Sequence, residues 1–143
     1  MNLDIVVPIY NEEENLPSLH DRLIKACEKL DDMAWRVIYV NDGSSDRSLE
    51  IMRRQRKSDS RFSIVELSRN FGHQAAITAG LSCANGDAVI LMDGDLQDPP
   101  ELIRELVSRW QEGANVVRAH RRSRKEKGMR RVGFDIFHKL FTW

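Results

Sequence analysis

The chain has 143 residues, enough for one domain with its own hydrophobic core, and its 41% hydrophobic and 31% charged residues are ordinary for a globular protein. No apolar run approaches the roughly 20 residues of a membrane-spanning helix, and the start, MNLDIVVPIYNEEEN, is too acidic and short to be expected as a signal peptide. The net charge of zero hides an asymmetry, because residues 1–117 carry 13 basic and 20 acidic side chains whereas residues 118–143 carry 9 and 2. The basic end predicts an anionic partner: phosphate, lipid headgroup or nucleic acid.

Strands and helices alternate along the sequence. Apolar runs predict five strands, and apolar residues spaced three and four apart predict helices between them. In chain order these are strand 3–9, helix 13–30, strand 35–40, helix 45–57 with a serine cap, strand 62–67, helix 73–85 with Asn85-Gly86 as C-cap, strand 87–92, a helix from Pro99-Pro100 to Gly113, and strand 114–119. Such crossovers favour an α/β fold with a mostly parallel sheet between helices.

The two cysteines, Cys27 and Cys83, fall in predicted helices. We expect both to be reduced core residues of a cytosolic protein, and a disulfide or a metal pair is the weaker alternative.

Polar clusters follow each predicted strand, at the edge of the sheet where ligands of α/β proteins bind. The fourth cluster, DGDLQD, is the most informative because it crowds carboxylates after a buried strand. Asp93 and Asp95 flank a glycine, Gln97 adds a neutral oxygen, and such hard oxygen ligands suit Mg²⁺ or Mn²⁺ bridging two phosphates. The alternative is that the carboxylates are solvated. Asp98 is predicted to cap the helix that follows.

Other chemistries lack their motifs. The chain has no G-x-G-x-x-G, no G-x-x-x-x-G-K-[ST] and no nucleophile elbow, which argues against a dinucleotide oxidoreductase, a P-loop kinase or covalent catalysis. The four histidines show no metal spacing; they are His20, His73, His120 and His138. The sequence therefore favours electrostatic, metal-assisted chemistry.

Four segments, in order, carry a family resemblance: VVPIYNEEENLP, VNDGSSD, LSRNFGHQAAITAGL and MDGDLQDPPE. Together they resemble the family 2 glycosyltransferases, in the branch of dolichyl-phosphate mannose synthase and the bacterial polyprenyl-phosphate (bactoprenol) glucosyltransferases, over residues 3–131. The resemblance implies the A-type glycosyltransferase fold, a Rossmann-like sheet sandwiched by helices. It also implies inverting, metal-dependent transfer of a sugar from a nucleotide sugar of the UDP-glucose or GDP-mannose type to polyprenyl phosphate, at the cytoplasmic face of the membrane.

The resemblance also implies roles for individual residues. Pro8, Tyr10 and Glu12 match residues that contact the nucleoside, Asp42 matches the acid that reads the base edge, and Arg69 lies where a basic residue often neighbours the nucleotide. Asp93 matches the acid near ribose and metal, and Asp95 and Gln97 match metal ligands, with Asp95 as the catalytic electrostatic anchor. Other interpretations remain: packing for Tyr10, a turn or cap for Asp42, and a plain surface charge for Arg69.

The basic segment fits the same resemblance. Arg121 and Arg131 match arginines that hold the acceptor phosphate, and the other basic residues of 120–131 are either headgroup contacts or a solvated loop. The last residues, RVGFDIFHKLFTW (131–143), predict an amphipathic helix over 132–143 that lies in the membrane interface, or alternatively a core helix. The predicted organisation is thus an α/β nucleotide-sugar domain over 1–119 and a basic, interfacial segment over 120–143.

The family's catalytic domain normally continues past this point, so the chain is expected to be truncated, with the C-terminal part of the fold missing. The given piece would be peripheral, whereas the parent, in one interpretation, carries C-terminal transmembrane helices and forms a homo-oligomer. Two other functions stay open: a nucleotidyltransferase, against which the acidic first loop argues, and a non-catalytic fragment that binds nucleotide or membrane. Nucleic acid is not an expected partner, because the basic stretch lacks a recognition module.

Overall fold

The sheet is parallel and lies between helices on both faces. The computed structural model describes residues 1–119. Its elements in chain order are β1 (Asn2–Ile9), α1 (Leu16–Cys27), β2 (Ala34–Asn41), α2 (Ser48–Ser58), β3 (Phe62–Glu66), α3 (His73–Cys83), β4 (Ala88–Leu91), a 3₁₀ turn (Pro100–Leu102) and α4 (Ile103–Gln111). The strand order is β3-β2-β1-β4, and every neighbouring pair is parallel. The predicted α/β fold is confirmed.

Strand β1 is buried on both faces, which explains its continuous apolar run. Leu3, Ile5, Val7 and Ile9 pack into a cluster with α1, α2 and α4. Val6, whose side chain points to the opposite face, packs with Ile38, Val40 and Ala76 beneath α3. The alternation of side chains along a strand thus divides one apolar run between two cores.

Helix α3 lies very close to the sheet, and Gly80 permits that approach. A methyl group added at Gly80 would lie 2.3 Å from Val6 Cγ1 and 2.8 Å from Val40 Cγ2. Both distances are shorter than carbon atoms tolerate, so a larger residue would push the helix away from the strands.

We therefore expect Gly80→Ala to lower the free energy of unfolding by about 1–3 kcal/mol through overpacking, despite the better helix propensity of alanine. Chemical denaturation measures this. Thr78→Ala is the control, because Thr78 is exposed on the same helix and should change stability by no more than about 0.5 kcal/mol. A Gly80→Ala variant as stable as the wild type would show that α3 does not need this close contact.

The buried carboxylate of Asp4, in β1, pairs with Arg36 of β2 and also holds the connection between α3 and β4. The Asp4 side chain, on a residue that is 3% exposed, accepts two hydrogen bonds from the Arg36 guanidinium, at 3.0 and 2.8 Å. It also accepts the backbone N–H groups of Asn85 and Gly86, at 2.7 and 3.0 Å. Burial favours the protonated form of this carboxyl, but the hydrogen bonds and the arginine charge outweigh it, so the pKa of Asp4 lies below its ordinary value.

Some predicted local features are wrong. Helix α3 ends at Cys83 with the extended residue Ala84 as its C-cap, and Gly86 does not adopt the left-handed conformation of a C-cap glycine. Gly86 is needed instead because a Cβ there would lie 2.9 Å from the Asn2 carbonyl oxygen. Cys83 is exposed rather than buried, whereas Cys27 is buried; both are free. Burial raises the pKa of the Cys27 thiol to about 12.

Two predicted caps are also wrong. Arg47, not a serine, occupies the N-cap of α2, and Pro99, not Asp98, occupies that of the 3₁₀ turn. Gly113 does end α4 as predicted, with φ at 103° and its N–H donating to the Trp110 carbonyl.

The predicted fifth strand is absent: residues 114–119 form no strand. Val116 is 87% exposed. A run of β-branched residues becomes a strand only when it pairs with a neighbour, and this segment forms no ladder with β4. Within residues 1–119, no helix combines the length and apolar character needed to cross a bilayer.

Candidate functional site

The strand order places a topological switch point between β1 and β4. From β1 the chain moves to β2 and β3 on one side, and β4 then pairs on the other side of β1. Loops that follow β1 and β4 therefore depart in different directions and leave a crevice between them, which is where open α/β sheets bind ligands. The first loop (10–15) and the fourth loop (92–99) border this crevice.

Backbone-to-side-chain hydrogen bonds join the first loop to the second loop (42–47) and the start of α2. The Asn11 and Glu12 N–H groups donate to the hydroxyls of Ser44 and Ser48, at 3.1 and 2.8 Å. The Ser45 N–H donates back to Asn11 Oδ1 at 2.8 Å, and Asn11 has a left-handed φ of 56°, which asparagine tolerates well. The serines of NDGSSD are thus structural, and they hold the first loop against the sheet.

Asp46 strengthens the same junction. Its carboxylate accepts the Glu13 N–H at 3.0 Å and the Ser48 N–H at 2.9 Å. Partial burial favours protonation, but these hydrogen bonds stabilise the carboxylate more, so the pKa of Asp46 lies below its ordinary value. The junction therefore keeps its charge at neutral pH.

Gly94 brings the fourth loop into contact with the end of β1. A Cβ at this buried glycine would lie 2.6 Å from Ile9 Cδ1 and 3.2 Å from the Pro8 carbonyl oxygen. The close approach fixes the two flanking aspartates beside the first loop. Asp93 is about half exposed, and Asp95 is partly buried.

The turn after Asp95 carries backbone strain. Leu96 adopts a left-handed φ of 60°, an unfavourable conformation for a residue with a Cβ. Asp95 Oδ1 accepts the Gln97 N–H at 2.9 Å and closes the turn around Leu96. Asp95 Oδ2 accepts no hydrogen bond from residues 1–119.

Asp42 holds the third loop (67–72). It is 3% exposed, and its two carboxylate oxygens accept the N–H groups of Phe71 and Gly72, at 2.8 and 3.0 Å. The neighbouring Gly43 has φ at 66°, and a Cβ there would lie 2.3 Å from the Arg69 carbonyl carbon. The second and third loops therefore pack backbone to backbone, with the Asp42 carboxylate between them.

His73 begins α3 and reaches across to the fourth loop. Its Nε2 lies 3.5 Å from Asp93 Oδ1, and both side chains are 52% exposed. His73 was not among the predicted site residues, because the four histidines show no metal-ligand spacing in the sequence. The position of His73 could have indicated a role in the site, because His73 directly follows the loop after β3, at the edge of the sheet where the other site residues lie.

The loops enclose one open cavity of about 280 Å³. Its lining residues come from the end of β1, all four loops and the start of α3: Pro8, Ile9, Tyr10, Glu12, Asp42, Asn70, Gly72, His73, Ala76, Asp93, Gly94 and Asp95. Six predicted site residues are thereby brought together: Pro8, Tyr10, Glu12, Asp42, Asp93 and Asp95.

The remaining predicted site residues do not line this cavity or lie beyond the described chain. Gln97 is exposed and is not a lining residue. Arg69 is exposed too, and its guanidinium lies 4.8 Å from the centre of the Phe71 ring. Arg121 and Arg131 fall outside residues 1–119, as does the predicted helix over 132–143.

The carboxylates of the fourth loop suit a hard divalent cation that takes its remaining ligands from a bound substrate. Within residues 1–119, no three His, Cys, Asp or Glu side chains come close enough together to hold a metal by themselves. Mg²⁺ and Mn²⁺ are commonly bound by only one or two carboxylates together with substrate phosphates, so Asp93 and Asp95 fit that mode rather than a cage of protein ligands.

Nearly the whole chain matches one family of known proteins. The family model "Glycosyl transferase family 2" matches residues 4–141. The glycosyltransferase YkcC of Bacillus subtilis is 45% identical over 139 residues, 96% of this chain and 43% of that protein. The undecaprenyl-phosphate 4-deoxy-4-formamido-L-arabinose transferase of Salmonella choleraesuis is 42% identical over 139 residues, 96% of this chain and 42% of that protein. The chain thus spans less than half the length of these relatives.

Solved structures agree on the fold. The mannosyltransferase PcManGT of Pyrobaculum calidifontis, in complex with GDP-Man and Mn²⁺, superposes with a TM-score of 0.63 at 23% identity, covering 73% of this chain and 31% of that one. Glucosyl-3-phosphoglycerate synthase of Mycobacterium tuberculosis, in complex with UDP, also gives 0.63 at 23% identity, covering 86% and 45%.

Proposed function

Because this chain belongs to glycosyl transferase family 2, we propose that it is the nucleotide-sugar-binding part of an enzyme that transfers a sugar to polyprenyl phosphate. The observation that carries the proposal is the arrangement of Asp93 and Asp95, which Gly94 seats against β1 at the switch point, facing the same cavity as Asp42. The Salmonella relative, whose name includes undecaprenyl phosphate, supports the class of acceptor.

The cavity divides into a nucleoside side and a phosphate side. Tyr10, 47% exposed at the rim, offers a ring for the base or ribose, and Glu12 offers a carboxylate to the hydroxyl groups. Asp42 faces the same space while it holds the third loop. A carboxylate that accepts two N–H groups retains further lone pairs. We therefore propose that Asp42 also accepts a hydrogen bond from the edge of the base.

Asp93 and Asp95 would hold Mg²⁺ or Mn²⁺, with Gln97 as a predicted further ligand. When bound, the cation supplies positive charge that neutralises the diphosphate leaving group. Asp95 Oδ1 accepts the Gln97 N–H, whereas Oδ2 accepts no hydrogen bond from residues 1–119, so Oδ2 keeps all its lone pairs for a cation. The strained Leu96 turn fixes this orientation before any ligand arrives, which reduces the ordering needed on binding.

The proposed reaction is a direct displacement with inversion. An oxygen of the acceptor phosphate forms a bond to the anomeric carbon, while the bond from that carbon to the nucleoside diphosphate oxygen breaks and the diphosphate keeps the electron pair. The acceptor phosphate is ionised at neutral pH and needs no general base. Asp95 acts as an electrostatic anchor, and Arg121 and Arg131 are proposed to hold the acceptor phosphate.

A panel of nucleotides tests the proposed function. Thermal unfolding of the chain is followed with UDP, GDP, ADP and CDP, each with Mn²⁺ and with EDTA. A ligand that binds only the folded state raises the melting temperature, so one preferred nucleoside diphosphate with Mn²⁺ should stand out. No shift with any nucleotide at millimolar concentration would contradict the proposal. Turnover of a labelled nucleotide sugar by the complete protein separates an enzyme from a non-catalytic binding fragment.

Membrane attachment at the cytoplasmic face is proposed from residues 118–143, where nine basic side chains accompany the aromatic residues of 132–143. Each basic side chain near an anionic surface contributes about 1 kcal/mol, and aromatic side chains add burial in the interface. We expect co-sedimentation with vesicles that contain anionic lipid, weakening with salt because the Debye length falls to about 8 Å at physiological ionic strength.

Charge reversal at Arg122 and Arg124 should release the protein from those vesicles and leave nucleotide affinity unchanged. Charge reversal at Arg56 and Lys57 of α2 is the matched control, because it makes an equal change of net charge at exposed side chains outside residues 118–143. No co-sedimentation at low salt would contradict the membrane proposal without affecting the nucleotide site.

A further inference from the structure

His73 and Asp93 connect two walls of the cavity that belong to different loops. His73 is the first residue of α3, and Asp93 follows β4. Their side chains meet at 3.5 Å between Nε2 and Oδ1. At this distance and exposure the contact contributes little to folding stability. Its position at the site is therefore more informative than its strength.

The backbone of each partner is fixed separately. On the His73 side, the preceding Gly72 donates its N–H to Asp42 Oδ2 and to Asn70 Oδ1, both at 3.0 Å. On the Asp93 side, Gly94 is pressed against the Pro8 carbonyl and the Ile9 side chain. What remains adjustable is the rotation of the two side chains.

The Asp93 carboxylate has few restraints of its own. In the described chain it accepts no hydrogen bond, and His73 Nε2 lies 3.5 Å from its Oδ1. Asp95 differs, because the Gln97 N–H already orients it. A carboxylate that is to share a cation with a diphosphate must present an oxygen in a defined direction, and groups hydrogen-bonded to metal ligands usually provide that restraint.

We infer that His73 is a positioning residue, which orients the Asp93 carboxylate toward the cation and diphosphate of the donor; the inference rests on the proposed function. The His73 imidazole would donate an N–H to Asp93 Oδ1 when the cation and the diphosphate bind, by a small rotation of the two side chains from their present separation of 3.5 Å. A direct contact of His73 with the donor phosphates is the competing role, and the two roles predict different results when no metal is present.

The test uses His73→Ala and His73→Gln, with Gln74→Ala as a matched control because Gln74 is exposed in the same helical turn and does not line the cavity. Calorimetry measures the affinity for the preferred nucleoside diphosphate with Mn²⁺ and with EDTA, and electron paramagnetic resonance measures bound Mn²⁺ at fixed nucleotide. We expect His73→Ala to weaken Mn²⁺ binding about 10-fold and to leave the affinity in EDTA unchanged. The amide N–H of His73→Gln should restore most of the loss.

Three results would overturn the inference. Equal Mn²⁺ binding by wild type and His73→Ala would remove any positioning role while leaving the proposed function intact. An equal loss with Mn²⁺ and with EDTA would assign His73 to direct phosphate contact. Absence of Mn²⁺-dependent nucleotide binding by the wild type would overturn the proposed function, and this inference with it.

Discussion

Asp95→Asn is expected to lower the Mn²⁺-dependent affinity for a nucleoside diphosphate about 100-fold while leaving the fold intact. Four carboxylates line the cavity, and the substitution removes the charge of one of the two proposed to hold the cation. Loss of a charged metal ligand lowers metal affinity more than loss of a group that only hydrogen-bonds to a ligand. The fold should survive because the asparagine carbonyl oxygen can still accept the Gln97 N–H and close the turn at Leu96. Calorimetry with Mn²⁺ and with EDTA measures the two affinities.

Asp87→Asn provides the control for charge alone. Asp87 lies at the amino end of β4, at the opposite edge of the sheet, where its carboxylate accepts the Asn2 N–H at 2.7 Å. Both variants lose one negative charge, so a general electrostatic effect would appear in both. If Asp95→Asn binds nucleotide with the same Mn²⁺ dependence as the wild type, Asp95 is not a metal ligand.

Asp4→Ala is expected to lower the free energy of unfolding by about 3 kcal/mol. It removes four hydrogen bonds, leaves the N–H groups of Asn85 and Gly86 without their acceptor, and unpairs Arg36. We expect a smaller loss of unfolding free energy than for a fully buried ion pair, because the Arg36 side chain is 36% exposed and water can solvate it. Urea denaturation at neutral pH measures the change.

Glu101→Ala is the matched control for this ion pair. Glu101 also pairs with an arginine, Arg22, at 2.7 Å, but its side chain is 56% exposed. The Arg22 hydrogen bond lowers the pKa of Glu101 to about 2, yet solvent screening should limit the loss of stability to about 1 kcal/mol or less. Equal losses for the two variants would show that burial adds nothing to the Asp4 pair.

The Asp4 contribution should also depend on pH. Because the folded-state pKa of Asp4 lies below the unfolded value, its stabilisation is fully present above the unfolded pKa and is lost as pH falls through the folded pKa. The stability difference between wild type and Asp4→Asn should therefore shrink below about pH 4. A difference that stays constant down to pH 2 would contradict the role of the carboxylate charge.

Local patterns in the sequence predicted most of the elements. The apolar runs that became β1 to β4 and the helical spacing that became α1 to α4 were placed within a few residues of their observed bounds. Six residues predicted for the site line one cavity, because the carboxyl ends of parallel strands meet at the same edge of the sheet. The predictions that failed were those for the caps of α2, α3 and the 3₁₀ turn, the burial of Cys83, and the strand over 114–119.

The sequence by itself determined which segments are buried and where acidic side chains follow a strand, because side-chain periodicity and burial are local properties. Only the tertiary structure decided that β4 pairs with β1, that Asp42 holds the third loop, and that His73 meets Asp93. Each of these contacts joins residues far apart in the chain, and a hydrogen bond or ion pair leaves no periodic signal in the sequence. The segment 114–119 shows the same limit: its composition favours a strand, but a strand forms only where a neighbouring strand supplies hydrogen-bond partners.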